Sequence, residues 1–433
     1  MKKTIAILLA LVMVFALFAC AKKTETPAAE PAAAPAAEPA AAPAAEPAAA
    51  PAAVATGSLK IWVAEAVVDF TKDQVAKFQE AHPEYAGYTV TVEPVGEGDA
   101  ASNMLTDVEA GADIFGFPQD QLARLVAADA LIELSEENVA KVTAENDAGS
   151  VAAATMAGTI YAFPMTSDNG YFLFYDKSVI TDPSNLEAII AACEAAGKSF
   201  YYDLRSGWYM PAFFFGAGCT LTYDTDDAGA FTKCNIDYAS DKGVGAMKAL
   251  IELAKSPAFV NGSSVSNATN AAAIIDGPWD VTAAKEMFGE NYACAKLPTV
   301  KINGVDTQLS GFGGFKLLGV KPQTDEAKLA FCDDLAAYLT SGEVQLARYN
   351  AVNWGPSNIE AKKDPAFQAD EAMAALGAQL AFTVPQGQYP GEYWSLAEGL
   401  GDDIIGGKYA NADDAALLAA LQQFQDTCIS YAG

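Results

Sequence analysis

The sequence predicts an α/β protein whose folded part forms two domains, and three observations support this prediction. Strand and helix patterns alternate with short connections between residues 59 and 128, which is typical of a parallel sheet covered by helices on both faces. The region from residue 57 to residue 433 is too long for one hydrophobic core. Helical patterns dominate from Asp325 onward, so the last helices must pack on sheets that earlier segments have already formed.

The first part of the folded region repeats a unit of one strand and one helix. The predicted strands cover residues 59–63, 88–95 and 112–117. The predicted helices cover 71–81, a segment that runs through Met104, Leu105 and Val108 and ends at Gly111, and 119–128. Val75 and Phe78 lie about one turn apart on the first helix, and Pro83 ends it.

The middle of the chain continues the alternation less regularly, and the end of the chain is helical. In the middle we predict helices over 185–196, 240–255 and 280–288, and strands over 199–203 and 271–275. The final helices are predicted over 328–340, 343–350, 365–381, 393–405 and 413–430. A single doubly wound domain does not predict this order.

The first twenty residues read as a lipoprotein signal peptide. Lys2 and Lys3 precede an apolar stretch that ends just before Ala19 and Cys20, and this stretch is too short to span a membrane stably. A small residue before a cysteine at this point resembles the lipobox of bacterial lipoproteins, which implies a diacylglycerol on Cys20. We therefore expect an exported protein, lipid-anchored to the outer face of the cell membrane. The alternative is an ordinary secretory signal that is cut elsewhere.

Residues 21–56 form a linker that is rich in alanine, proline and glutamate. From Pro27 to Pro51 a proline recurs at every fourth position, which forbids a helix. Such a segment has little to bury, so we predict a disordered, semi-rigid spacer between the anchor and the folded region.

The charge of the chain argues against nucleic acid as a partner. The sequence has 26 basic and 55 acidic residues, which gives a net charge of −29. This charge repels phosphate backbones and anionic lipid surfaces. It favours solubility of a protein displayed at the cell surface.

The six cysteines beyond Cys20 show no metal-binding pattern, because no CxxC pair occurs. Cys219 and Cys234 flank a segment rich in turn-forming residues, so a disulfide that closes this hairpin is our candidate pairing. Six cysteines allow fifteen pairings. A reduced state of all six thiols is the alternative.

Sequence motifs of catalysis are missing, and we predict no catalytic residue, metal or cofactor. His82 is the only histidine, and no GxSxG, GxxxxGK[ST] or HExxH motif occurs. The glycine-rich segment 311–315 precedes a strand pattern, whereas a phosphate site needs a helix there, so we predict a bend or an interdomain crossing. A surface-anchored glycan-degrading enzyme stays as an alternative, since two catalytic carboxylates are brought together only by the fold.

Aromatic residues at strand ends and in loops suggest a ligand surface. Flat rings stack on the apolar faces of sugars, and nearby carboxylates accept hydrogen bonds from hydroxyls. Core packing is the alternative for each ring taken singly. The aromatic residues are Trp62, Phe117, Trp208, Tyr209, Trp279, Trp354, Tyr393 and Trp394, and polar neighbours are Asp120, Asp168 and Arg205.

Several segments resemble the solute-binding proteins of ABC importers, specifically the maltose- and maltodextrin-binding type (family 1). The resemblance covers nearly the whole folded region. It rests on the strand sequences LKIW at 59–62, YTVTVE at 88–93 and GADIF at 111–115, and on GTIYAFP at 158–164, FYDK at 174–177 and IDGPW at 275–279.

This resemblance implies a two-lobed, periplasmic-binding-protein-like fold (type II), in which each lobe is a mixed sheet flanked by helices. It assigns residues 57–165 and 312–364 to the N-terminal lobe and residues 166–311 and 365–433 to the C-terminal lobe. The hinge crossings are expected near Met165, Gly311 and Pro365, with the ligand cleft between the lobes.

The resemblance also implies the function and the site. We expect a monomer that captures a carbohydrate, most plausibly maltose or malto-oligosaccharides, and delivers it to the ABC transporter permease. Other oligosaccharides are the near alternative, and a peptide or amino-acid receptor is a more distant one. The loop 96–99 is a further candidate contact. The expected ligand-binding residues are Trp62, Phe117, Asp120, Gln121, Asp168, Asn169, Arg205, Trp208, Tyr209, Trp279, Tyr393 and Trp394.

Overall fold

A computed structural model describes residues 56–433 of the chain. The predicted signal peptide, the predicted lipidation site at Cys20 and nearly all of the linker lie outside the described residues. Between residues 56 and 433, no helix is both long enough and apolar enough to cross a membrane.

The described region contains seventeen strands and fifteen α-helices. The strands are β1 (Thr56–Val63), β2 (Gly87–Pro94), β3 (Ile114–Pro118), β4 (Thr155–Met156), β5 (Thr159–Ile160), β6 (Phe163–Gly170), β7 (Phe172–Asp176), β8 (Ser199–Tyr202), β9 (Leu221–Thr225), β10 (Phe231–Ile236), β11 (Phe259–Asn261), β12 (Ala271–Asp276), β13 (Tyr292–Ala295), β14 (Thr299–Ile302), β15 (Val305–Gln308), β16 (Phe312–Val320) and β17 (Val384–Pro385). The α-helices are α1 (Val68–Ala81), α2 (Glu97–Thr106), α3 (Leu122–Ala127), α4 (Glu136–Glu145), α5 (Ala148–Ala153), α6 (Leu186–Ala196), α7 (Pro211–Gly216), α8 (Asp241–Lys255), α9 (Val281–Phe288), α10 (Glu326–Leu339), α11 (Gly342–Val352), α12 (Pro365–Gln368), α13 (Glu371–Leu380), α14 (Gly391–Ile405) and α15 (Asp414–Ser430).

The first lobe is built on a six-stranded mixed sheet with the order β17-β16-β3-β1-β2, in which β6 also pairs with β16. Strands β1, β2 and β3 run parallel, and β16 runs antiparallel to both β3 and β6. Ile61, Ile114 and Phe115 are fully buried in the core of this lobe. A continuous apolar run such as Ile114-Phe115 is expected where helices cover both faces of a sheet.

The second lobe is built on a five-stranded mixed sheet with the order β11-β8-β12-β7-β13. Its two faces bury separate sets of residues, because successive side chains of a strand point to opposite faces. Leu173 of β7 and Ile275 of β12 lie in one cluster, while Phe174 and Ile274 lie in the other. Two mixed sheets, each flanked by helices, confirm the predicted two-lobed α/β fold.

Most predicted helices and strands are present within one to three residues of their predicted ends, but one predicted helix ends early and another is divided in two. The second helix ends at Thr106 rather than Gly111, because Asp107 is extended and its Oδ1 accepts a hydrogen bond from the Ala110 amide at 3.0 Å. The segment 365–381 is two helices, α12 and α13. The Asp370 side chain caps α13 by accepting hydrogen bonds from the amides of Ala372 and Met373.

The chain passes between the lobes along strands that lie side by side. Strand β6 stays in the first sheet through Gly170, and β7 begins in the second sheet at Phe172, so the predicted crossing at Met165 lies inside β6. In β16, Phe312 lies in the core of the second lobe and Leu317 in that of the first. The short strand β17 pairs with the beginning of β16, where a Cβ on Gly313 would approach Thr383 to 2.1 Å.

The hairpin between Cys219 and Cys234 forms as predicted, but the disulfide does not. Both residues are free cysteines, as are the other four in the described region. The register pairs Cys234 with Tyr223, whereas Cys219 precedes the first residue of β9. Four positions along a strand amount to about 13 Å, which is too far for a disulfide.

Candidate functional site

A cavity of about 810 Å³ lies between the two lobes, and we call it the cleft. Much of its lining comes from loops at the carboxyl ends of parallel strands in both sheets. The lining loops of the first lobe follow β1, β2 and β3, at residues 64–66, 96–99 and 118–121. Those of the second lobe follow β8 and β12, at residues 203–209 and 279–280. Carboxyl ends of strands are the usual position of ligands in open α/β sheets.

Four indole rings, those of Trp208, Trp279, Trp354 and Trp394, line the cleft. The rings of Trp208 and Trp279 lie 5.9 Å apart between centroids and are tilted by 45°. Both indoles are partly exposed, so each ring offers apolar surface to the cleft. Aromatic surfaces with polar groups at their edges suit the stacking of sugar rings.

Asp276, at the end of β12, positions two of the aromatic residues. Its Oδ1 accepts hydrogen bonds from Trp279 Nε1 at 2.8 Å and from the Tyr209 hydroxyl at 3.0 Å. Burial raises the pKa of this carboxyl well above its ordinary value, and the neighbouring Asp280 raises it further. The ring orientations are thus fixed by a buried acid that lies below the surface of the cleft.

Gln386, directly after β17, connects groups from both lobes at the base of the cleft. Its Oε1 accepts hydrogen bonds from Trp208 Nε1 at 3.1 Å and Asn169 Nδ2 at 3.2 Å. Its Nε2 donates to Asp120 Oδ1 at 2.7 Å. Burial raises the pKa of Asp120 to about 7, while the nearby Arg124 acts in the opposite direction. One side chain therefore links an acid of the first lobe to an indole of the second.

Arg205 lies at the exposed rim of the second lobe and is held by acids of α14. Its Nη2 lies 2.6 Å from Glu398 Oε1, and its Nε lies 2.7 Å from Asp402 Oδ1. The acids neutralise the guanidinium, which favours hydrogen bonding to an uncharged ligand over pairing with an anion.

Most of the predicted site residues line the cleft, and so does the candidate loop 96–99. The predicted residues that line it are Asp120, Gln121, Asn169, Arg205, Trp208, Tyr209, Trp279 and Trp394. The structure brings these eight residues together from five separate segments of the chain. Their role as ligand contacts remains a prediction.

Four predicted residues lie outside the cleft lining. Phe117 is fully buried in the first-lobe core, and Trp62 donates its Nε1 hydrogen bond to Glu93 of the adjacent strand. Asp168 accepts a hydrogen bond from the Gly355 amide and lines a separate cavity of about 320 Å³. Tyr393 is fully buried, and its hydroxyl donates to the Gly207 carbonyl at 2.8 Å, so it supports the loop that carries Trp208 and Tyr209.

Among the cleft residues that were not predicted from the sequence are Lys316 and Gln386. Lys316 could have been recognised as a candidate site residue, because it is the one charged residue in the otherwise apolar segment 315–320. No sequence pattern marks Gln386 as a site residue, since it lies in a loop of ordinary composition. Within residues 56–433, no group of three or more His, Cys, Asp or Glu side chains is placed to hold a metal ion.

Comparison with known proteins gives a consistent result. The family of bacterial extracellular solute-binding proteins matches residues 73–375. A galactooligosaccharide-binding protein of Bacillus subtilis (strain 168) is 26% identical over 376 residues, which cover 81% of this chain and 85% of that protein. A maltooligosaccharide ABC transporter solute-binding lipoprotein of Streptococcus pneumoniae (strain R6) is 26% identical over 368 residues, which cover 78% of this chain and 82% of that protein.

Solved structures share the fold. The ligand-free maltodextrin-binding protein MalE1 of L. casei BL23 superposes with a TM-score of 0.70 at 24% identity, covering 87% of this chain and 99% of that one. The maltotriose-binding protein of Thermus thermophilus, bound to maltotriose, gives a TM-score of 0.70 at 17% identity, covering 85% of this chain and 99% of that one.

Proposed function

Because the chain belongs to the bacterial extracellular solute-binding proteins, we propose that it captures an oligosaccharide in the cleft and delivers it to the permease of an ABC importer. The observation that carries this proposal is the composition of the cleft, in which four indole rings lie among carboxylate and amide side chains from both lobes. Such a surface binds uncharged, hydroxyl-rich rings better than it binds charged metabolites.

Capture follows from the way the two lobes share the cleft. A ligand that contacts the loops of both lobes makes all of its contacts only when the lobes are close together. Binding therefore shifts the population toward the closed arrangement. A permease recognises this arrangement by its shape, so occupancy is reported without any chemical change in the sugar.

We propose malto-oligosaccharides as the ligand class. Support comes from the streptococcal relative, whose name states that it serves a maltooligosaccharide transporter. The relative from B. subtilis is named for galactooligosaccharides, which makes these sugars the second candidate. An affinity near micromolar corresponds to about −8 kcal/mol, a value that a few ring stacks and buried hydroxyl hydrogen bonds can supply.

The proposal extends to the location and the assembly of the protein. The family is extracellular. The sequence around Cys20 supports a lipid anchor, and the streptococcal relative is named a lipoprotein. We propose that a monomer of this chain is tethered to the membrane through Cys20 and the linker, near its permease.

Isothermal titration calorimetry tests the ligand class directly. The purified protein is titrated with maltose, maltotriose, maltopentaose, a galactooligosaccharide and a peptide mixture. We expect saturable binding of the maltose series, with affinity near micromolar. Chromatography of the recovered sugar should show intact ligand, whereas shortened products would point to a glycan-degrading enzyme. Binding of peptides without any sugar would contradict the proposal.

Three tryptophan variants show whether binding takes place in the cleft. Trp279→Ala and Trp394→Ala each remove a ring that lines it, so both should lose most of the sugar affinity. Trp62→Ala is the matched control, because its ring lies outside the cleft and packs on the first-lobe core. The control should keep its affinity even if its stability falls. If all three variants bound the sugar as tightly as the unchanged protein does, the ligand would bind outside the cleft.

A further inference from the structure

Lys316 is a buried cation in the floor of the cleft. It lies on β16 directly opposite Thr166 of β6, and only 5% of its surface is exposed. A lysine is rarely buried to this extent unless its charge is paired. The groups around the Lys316 ammonium must therefore compensate for its loss of contact with water.

The ammonium group of Lys316 lies between two indole rings from different parts of the cleft. Its Nζ is 3.7 Å from the centroid of Trp354 and 4.8 Å from that of Trp279. Cation–π attraction of this kind stabilises a charge in a dry environment without using its N–H donors in ordinary hydrogen bonds. Trp279 follows the second-lobe strand β12, so the lysine also bridges the two lobes.

The donors of Lys316 are available, in contrast to those of the other cation of the cleft. Among residues 56–433, no hydrogen bond or ion pair to the Lys316 ammonium is found, whereas Arg205 is held by Glu398 and Asp402. An ammonium group has three N–H donors. An ammonium that lines the cleft and has no hydrogen-bond partner among the described residues favours a ligand that offers oxygen acceptors.

A purely structural role for Lys316 accounts for only part of this arrangement. Burial raises the pKa of Asp168, and the charge of Lys316 opposes that rise, so the lysine does help to neutralise a buried acid. The Asp168 carboxylate, however, also acts on the buried Arg348, a second cation close to it. Beyond its effect on Asp168, the Lys316 ammonium also lies between two indoles and lines the cleft.

We infer that Lys316 is a specificity-determining residue of the cleft, which donates hydrogen bonds to hydroxyl oxygens of a sugar bound beside Trp279. This inference rests on the proposed function. The ammonium lies over Trp279, 4.8 Å from the ring centroid, and Lys316 lines the cleft, so a sugar that contacts this indole brings hydroxyl oxygens close to the ammonium. The lysine thereby distinguishes sugars that present an oxygen acceptor at this position from sugars that do not, because only the former accept a hydrogen bond from the ammonium.

The variant Lys316→Met tests the inference, since methionine keeps a long apolar side chain and removes the donors. We expect it to lower the affinity for malto-oligosaccharide about 10- to 100-fold, the range for a hydrogen bond to a charged group. Lys296→Met is the matched control. Lys296 also lies over an aromatic ring, 4.9 Å from the centroid of Phe382, but it does not line the cleft. The control should bind as the unchanged protein does.

Monodeoxy sugars separate direct contact from a structural effect. The unchanged protein and Lys316→Met are each titrated with maltotriose and with a set of maltotrioses that lack one hydroxyl each. For at least one position, the loss of the hydroxyl should weaken binding to the unchanged protein and leave binding to Lys316→Met nearly unaffected.

The inference would be overturned if removal of each hydroxyl weakened binding by the same factor in both proteins, or if Lys316→Met kept full affinity for maltotriose. Either result would leave the proposed function intact. Absence of sugar binding by the unchanged protein would instead refute the proposed function. Thermal unfolding of each variant identifies a folding defect. If Lys316→Met does not fold, Lys316→Arg keeps the charge but changes the geometry of the donors. It should then bind with an altered order of preference among the deoxy sugars, and an unchanged order would overturn the inference.

Discussion

At the scale of single residues, Asp120 is a buried acid whose charge is costly. It is 1% exposed, and burial raises its pKa to about 7. An aspartate in an unfolded chain has a pKa near 3.9. The folded protein therefore holds this proton more tightly than the unfolded chain does, and the contribution of Asp120 to stability falls as the pH rises from about 4 to about 7.

The variant Asp120→Asn should remove this contribution while keeping the oxygen that accepts a hydrogen bond from Gln386. We expect its free energy of unfolding to fall less between pH 4.5 and 7.5 than that of the unchanged protein, by an amount on the order of a few kcal/mol. Urea denaturation at several pH values measures this difference. Asp182→Asn is a control, because hydrogen bonds from Ser184 lower the pKa of that carboxyl and place its titration below the window. If the free energy of unfolding of Asp120→Asn fell with pH as much as that of the unchanged protein, the expectation would be contradicted.

The residue scale also shows why site prediction from the sequence was partial. Residue types that favour sugar binding identified Trp279 and Trp394, which line the cleft. They also selected Phe117, because an aromatic residue at the end of a strand looks the same in sequence whether it faces the core or the cleft. Gln386 owes its place to a strand pairing distant in sequence, and no local pattern encodes such a pairing.

At the scale of secondary-structure elements, α14 supports the loop that follows β8. The Tyr393 hydroxyl of this helix donates to the Gly207 carbonyl at 2.8 Å. A Cβ on Gly207 would approach Ala397 of the same helix to 2.8 Å, so helix and loop are in close contact. The helix thus positions Trp208 and Tyr209 while contributing Trp394 itself to the cleft.

Tyr393→Phe should weaken sugar binding although Tyr393 does not line the cleft. The substitution removes one buried hydrogen bond and should lower the free energy of unfolding by about 1–2 kcal/mol. Tyr389→Phe is a matched control, since the hydroxyl of Tyr389 is equally buried but donates to the Leu221 carbonyl in the β9–β10 hairpin. Both variants should lose similar stability by urea denaturation. Calorimetry should show several-fold weaker binding for Tyr393→Phe alone, and equal affinities would contradict a positioning role.

Predictions of secondary structure succeeded where periodicity was strong and failed where side chains compete with the backbone. The α8 and α15 helices match their predicted ranges to within one residue, because their apolar positions recur at helical spacing. The segment 365–381 was predicted as one helix. Asp370 interrupts it by capping α13, and aspartate favours such caps over helix interiors.

At the scale of the whole molecule, the proposed anchor at Cys20 determines where the protein works. Two acyl chains and a thioether hold a protein at a membrane far more durably than one chain does. Cys20→Ser should therefore abolish incorporation of labelled fatty acid and move the protein from the membrane fraction to the medium or the soluble extracellular fraction. Thr24→Ala, four residues further on, should stay membrane-bound. Membrane retention of Cys20→Ser would refute the anchor.

Three strands meet where the lobes join, and their lateral bonding has a mechanical consequence. Strand β16 lies in the middle, with β6 bonded to one side of its first residues and the short β17 bonded to the other. Three strands that are hydrogen-bonded side by side bend easily out of the plane of their small sheet. They resist sliding past one another and twisting about the strand direction. The lobes should therefore swing about a single axis, and a sugar bound between them would meet the same pair of surfaces at every closure.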